Sequence, residues 1–200
     1  MKRRTLLHAS LCSLTTLSGC ISGEVMGSES RKRYISIESS RDVQIPGTTM
    51  SVEVVSEEIT RKSAGRIQIT LTNEGESETN YICGFRPPFS ALVHTGQYDE
   101  EIAWYLFHPT KHTFTEQDYH QPNNCWWSIE REVSKFSIAK LIKLGPSDSI
   151  AVELDTVANG NREDCMPTGR FQFDHSYNDT GDDWAGREFE WGFTLEVTRD

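Results

Sequence analysis

Glu188-Phe189-Glu190-Trp191-Gly192-Phe193-Thr194-Leu195-Glu196-Val197-Thr198 decides the fold. Every second residue is large and apolar (Phe189, Trp191, Phe193, Leu195, Val197), with polar residues or Gly192 between them. A period of two sends alternate side chains to opposite faces of an extended chain, so this stretch reads as a half-buried β-strand. The same alternation recurs upstream. Ile67, Ile69 and Leu71 alternate with Gln68, Thr70 and Thr72; Ile150, Val152 and Leu154 with Ala151, Glu153 and Asp155; Phe171 and Phe173 with Arg170, Gln172 and Asp174.

Shorter strand patterns cover Tyr34 to Glu38, a run led by Val52 and Val54 that ends near Ile59, and Asn80 to Cys83, which Pro87 and Pro88 close. Ile102 to Phe107 is continuously apolar, which suits a central strand buried on both faces. Phe136 to Leu144 fits either a strand or a single helical turn. Asn73-Glu74-Gly75 and Gly145-Pro146-Ser147-Asp148 carry turn chemistry, and residues 109–124 read as a long polar excursion. No amphipathic helix longer than two turns is visible. The expected fold class is all-β: an antiparallel Ig-like β-sandwich of about 7–9 strands over residues 34–200.

What precedes that domain reads as an address. Lys2-Arg3-Arg4 is a positive start, Thr5 to Gly19 a short and weakly apolar stretch, and Leu17-Ser18-Gly19-Cys20 a lipobox. The apolar stretch falls short of the roughly 20 residues a membrane span needs. Arg3-Arg4 followed by Thr5-Leu6-Leu7 resembles a twin-arginine export signal, with Leu6 where Phe is usual. Residues 1–20 are therefore expected to be a lipoprotein signal peptide, with Cys20 the lipidated first residue of the mature chain. Residues 21–33, rich in Gly, Ser and Glu, are expected to be a flexible tether, with Arg31-Lys32-Arg33 in a solvated turn. The expected location is the extracytoplasmic face of the cell membrane.

Charge narrows the partners. Beyond residue 20 the chain holds 17 basic and 30 acidic residues, a formal charge of −13. Phosphate would be repelled, so no nucleic acid is expected as a partner. Scattered acids, with 13 arginines against 7 lysines in the whole chain, suit a salt-adapted surface. The expected partners are membrane lipid through Cys20 and another surface protein; no cofactor is expected.

Of five cysteines, Cys12 leaves with the leader and Cys20 takes lipid. Outside the cell, the remaining three imply one pair and one spare. Cys125 and Cys165 sit in polar stretches, whereas Cys83 lies in a strand pattern. The expected bridge is Cys125–Cys165, which would stabilise the fold by roughly 3–4 kcal/mol in the chain-entropy model.

Several motifs together resemble uncharacterised haloarchaeal lipoproteins with an Ig-like domain. They are the leader itself, Ile69-Thr70-Leu71-Thr72-Asn73, Pro87-Pro88-Phe89, Asn124-Cys125-Trp126, Leu144-Gly145-Pro146-Ser147-Asp148-Ser149 and Cys165-Met166-Pro167-Thr168-Gly169-Arg170-Phe171. The resemblance covers roughly residues 50–198. It implies an Ig-like sandwich in which Cys125 and Cys165 pair, and it brings no catalytic residues. The order of a strand ending in Leu-Thr-Asn and a later Gly145-Pro146 turn is also similar, in architecture alone, to the bacterial intracellular proteinase-inhibitor-like sandwich. Fold-level likeness does not transfer function.

Chemistry-bearing groups are few. His108, His112 and His120, with Glu116 and Asp118, are the densest ligand-capable cluster, although their spacing matches no standard zinc template. Asp174, Asn178, Asp179, Asp182 and Asp183 form an oxygen-rich run that reads as a hairpin loop without EF-hand spacing. Asn178-Asp179-Thr180 is a glycosylation sequon. Trp126-Trp127 could present an exposed aromatic to a partner. No nucleophile motif or phosphate-cradling glycine loop is present. The expected function is a membrane-anchored, non-catalytic Ig-like binding domain. The alternative is a solute- or metal-binding surface lipoprotein using the His108–His120 loop, and a surface enzyme stands third.

Overall fold

The computed structural model describes residues 32–60, 62–83, 87–89, 103–108, 127–129, 140–160, 166–180 and 187–200. These residues are all-β, in two sheets. The six-stranded sheet runs β3 (Glu58–Ile59), β1 (Arg33–Ser40), β11 (Arg187–Arg199), β10 (Gly169–Thr180), β5 (Thr79–Cys83), β8 (Lys140–Leu144). The second runs β2 (Thr48–Ser56), β4 (Arg66–Asn73), β9 (Ser149–Asn159), β6 (Trp104–Phe107), with β7 (Ser128–Ile129) also on β9. Every pairing is antiparallel except β7 with β9.

The alternation of β11 does what its period dictates: Phe189, Trp191, Phe193, Leu195 and Val197 are all buried. Phe171, Phe173 and Tyr177 of β10 lie on the same inner face. Cross-strand rings stack, Phe173 on Phe193 at 5.3 Å and Tyr177 on Phe189 at 4.9 Å. Ile67, Ile69 and Leu71 of β4, Val152 and Leu154 of β9, and Trp104 and Leu106 of β6 complete a single core shared by both sheets. Trp104 meets Phe171 edge-on across the gap at 6.2 Å. Each fully buried large side chain contributes roughly 1.5–3 kcal/mol, so this interlayer is the main source of stability.

Several local expectations change. Within the apolar run at 102–107, Trp104–Phe107 form β6, buried on both faces as read, yet among the described residues β6 pairs with β9 alone and lies at the end of its sheet. Its continuous apolar composition matches the burial of Tyr105 and Phe107 as well as of Trp104 and Leu106. The ambiguous 136–144 stretch contributes a strand, β8, from Lys140. The run led by Val52 and Val54 that ends near Ile59 splits, β2 joining one sheet and β3 the other. Two-residue strands such as β3 and β7 carry no periodicity, which is why the eleven strands among the described residues exceed the expected 7–9. β1 starts at Arg33, inside the stretch read as tether. Arg33 is buried and donates from Nε to the Met166 carbonyl at 3.0 Å, so it is no solvated turn residue. Asn178 and Asp179 belong to β10, paired on both sides by β5 and β11, where a hairpin loop was expected.

One amide ties the turns at an end of the domain. Asn73, 1% exposed, donates from Nδ2 to the carbonyls of Ser77, Leu144 and Gly145 at 2.8–3.1 Å, and its Oδ1 accepts from Gly75 N. The Asn-Glu-Gly and Gly-Pro-Ser-Asp turns are thereby joined: Ser147 N donates to Asn73 O at 2.7 Å and Asn73 N to Asp148 O at 2.9 Å.

Gly192 faces outward opposite Asp174. A Cβ there would overlap the Phe173 carbonyl oxygen and Asp174 Oδ1. Overpacking against backbone costs about 1–3 kcal/mol, so Gly192→Ala is expected to lower unfolding free energy by that amount in urea titrations. A loss below about 0.5 kcal/mol, the usual surface value, would show that the β10–β11 contact gives way freely.

Candidate binding surface

The missing Cβ at Gly192 lets the Asp174 carboxylate lie across β11 toward β1. There it meets Arg41, the residue after β1, at 3.3 Å; the same guanidinium reaches Glu190 at 3.7 Å. Arg41 N also donates to Gly192 O at 2.9 Å, which fixes the chain as it leaves the strand. All three side chains are substantially exposed, so each pair contributes only about 0–1 kcal/mol. Their effect is to hold one wall of a groove.

That groove, about 760 Å³ and open to solvent, is lined by Arg41, Asp42, Ile45, Glu188, Phe189 and Glu190, together with Gln44. Ile45 and Phe189, each 6% exposed, form an apolar floor. Three carboxylates and one guanidinium form the rim. Asp42 and Glu188 make no ion pair among the described residues, whereas Arg41 is engaged. No local motif announces this site: it joins positions 41–45 to 188–190 through the β1–β11 pairing. The only sequence trace is the polar face of the 188–198 run, where Glu188 and Glu190 stand outward.

The residues singled out from the sequence are not gathered by the described fold. Cys20, Cys125, Cys165, His112, His120 and Trp126 lie outside the described residues. His108 follows β6, half-buried, and its charge favours the ionised form of Asp155. Asp155 lies across from Phe107 and bonds to Arg66 Nε at 2.7 Å. Burial raises the Asp155 pKa, and the Arg66 bond and charge oppose that rise. Among the described residues no group of three or more His, Cys, Asp and Glu could hold a metal. Trp127, in the left-handed region at φ 52°, packs against the core and donates from Nε1 to Thr60 O at 3.0 Å. Its polar handle is therefore used inside the domain.

Cys83 is a free thiol, 2% exposed, whose pKa burial pushes up to about 12. It stays protonated at neutral pH and so lacks the thiolate that nucleophilic chemistry requires. It lies beside Tyr177 at the β5–β10 pairing, where burial raises the phenol pKa well above its ordinary value and the Cys83 charge adds to the rise. Tyr177 Oη and Trp191 Nε1 are buried without a hydrogen-bond partner among the described residues. An unsatisfied buried hydroxyl costs about 1–3 kcal/mol. Tyr177→Phe, which keeps the ring stacked on Phe189, is therefore expected to leave thermal stability unchanged or raise it. A clear loss would reveal a bonded phenol and a role for this cluster beyond packing.

Comparison with known proteins adds little on chemistry. An uncharacterised aminotransferase of Schizosaccharomyces pombe (strain 972 / ATCC 24843) is 29% identical over 107 residues, 54% of this chain and 24% of its own length. The chain thus spans about a quarter of that relative, and so partial a match carries no activity across. No solved structure matches. A family model described as a domain of unknown function, DUF8130, matches residues 1–105, from the first residue into β6. The chain belongs to that family of unknown function.

Proposed function

We propose that the protein is a lipoprotein anchored at the extracytoplasmic membrane face through Cys20, whose Ig-like sandwich binds a surface partner without catalysis. The observation that carries this reading is the course of β1. The chain enters the domain at Arg33, 13 residues after Cys20, and is locked there by the bond to Met166 O. It then runs the length of the strand and emerges at Arg41 in the groove wall. At about 3.3 Å per residue the strand separates these points by roughly 25 Å. A lipid on Cys20 would therefore hold one end of the sandwich toward the membrane and present the groove at the other. Two acyl chains on Cys20 would be needed, because one gives only marginal attachment.

Two further facts favour this reading. The family match covers residues 1–105, so it takes in both the proposed leader and the strands from β1 into β6. The described ionisable groups with raised pKa values also have structural causes. Asp155 and Cys83 are displaced first by burial, Arg66 by its bond to Asp155, and none of the three lines the groove.

Cys20→Ser in the producing cell is expected to move the protein from the membrane and detergent phase to the soluble fraction, while the folded domain survives. Equal membrane retention of the variant would overturn lipid anchoring.

A further inference from the structure

We infer that the groove between the start of β11 and the β1–β2 connection docks a lysine- or arginine-bearing segment of a partner protein, seated through an apolar side chain on Ile45 and Phe189. This deepens the binding-domain reading above and rests on it. Charge decides the occupant. Glu190 is shared with Arg41, but Asp42 and Glu188 flank the groove without a cationic partner among the described residues. Asp174 adds a further carboxylate behind Arg41. An acidic segment or a second copy of this strongly acidic chain would be repelled, whereas guanidinium or ammonium groups would complete the rim.

The wall is also built before a partner arrives. Arg41 is fixed by its own amide to Gly192 and by its head group to Asp174 and Glu190. The Phe189 ring is fixed by its stack on Tyr177. Little ordering cost therefore remains for the domain to meet on binding. An extended segment with alternating side chains would place basic groups at the rim and apolar ones on the floor, by the same period of two that builds the domain.

The test uses the full-length chain and a fluorescein-labelled octapeptide of alternating arginine and leucine, with its glutamate–leucine counterpart as control. Fluorescence anisotropy at low ionic strength should show binding of the arginine peptide alone. Asp42→Asn with Glu188→Gln should weaken it about tenfold, the scale of two partly screened ion pairs. Glu53→Gln with Glu57→Gln, exposed acids outside the groove lining, should leave it unchanged. Circular dichroism confirms that both double variants fold. Equal weakening by both pairs, binding of the glutamate peptide, or no binding at all would overturn the assignment. Binding in solution does not depend on the anchor, so failure here is separable from failure of the Cys20→Ser fractionation.

Discussion

The domain depends on the pairing of β10 with β11, unbroken from Gly169↔Val197 to Asp179↔Arg187. Each inward ring finds its neighbour through that register: Phe173 faces Phe193, His175 faces Trp191, Tyr177 faces Phe189. A slip of one residue would turn this aromatic ladder to water and bring glutamates inward. Gly192 reinforces the register, because the one place where the strands approach too closely for a Cβ is also the place without one. The other elements extend this pair: β1 and β5 flank it, and β4, β9 and β6 close over its inner face.

Polar contacts then orient what the apolar layer holds together. Asn73 joins two turns through three donated bonds and one accepted, all from one buried amide. Arg66 spans β4 to β9 through Asp155 at 2.7 Å and Glu153 at 3.3 Å. Arg33 and Trp104 both donate to the 166–167 segment, which places the approach to β10 against β1 and β6. None of these contacts need contribute much net free energy. Their geometry fixes where connections leave the sheets, and so where a surface such as the groove can form.

The strands with long alternation were legible because burial on one face imposes a period of two: the runs at 66–73, 150–155, 169–177 and 188–198 all fall within β4, β9, β10 and β11. The shorter pieces were not. β3 and β7 have two residues each and exist through partners distant in sequence. β6 read as central because composition reports burial, and burial on both faces is not the same as pairing on both edges; among the described residues β6 pairs with β9 alone. The oxygen-rich stretch at 174–179 read as a loop because Asp174, Asn178 and Asp179 are turn-type residues, although Phe173 and Tyr177 continue the inward alternation of the strand. The groove was illegible for a different reason: Arg41, Asp174 and Glu190 converge only once β1, β10 and β11 are side by side.

A paired hairpin at the centre, with Arg33 at one end of β1 and a carboxylate-rimmed groove beyond the other, sets the geometry on which the proposed anchoring and binding roles rely. All of this rests on the β10–β11 pair being the most stable part of the molecule. Hydrogen exchange resolved by mass spectrometry tests that directly. Peptides spanning 171–177 and 189–197 should be the slowest to exchange, well behind those from β2, which ends its sheet. Exchange in the hairpin as fast as in β2 would contradict the account.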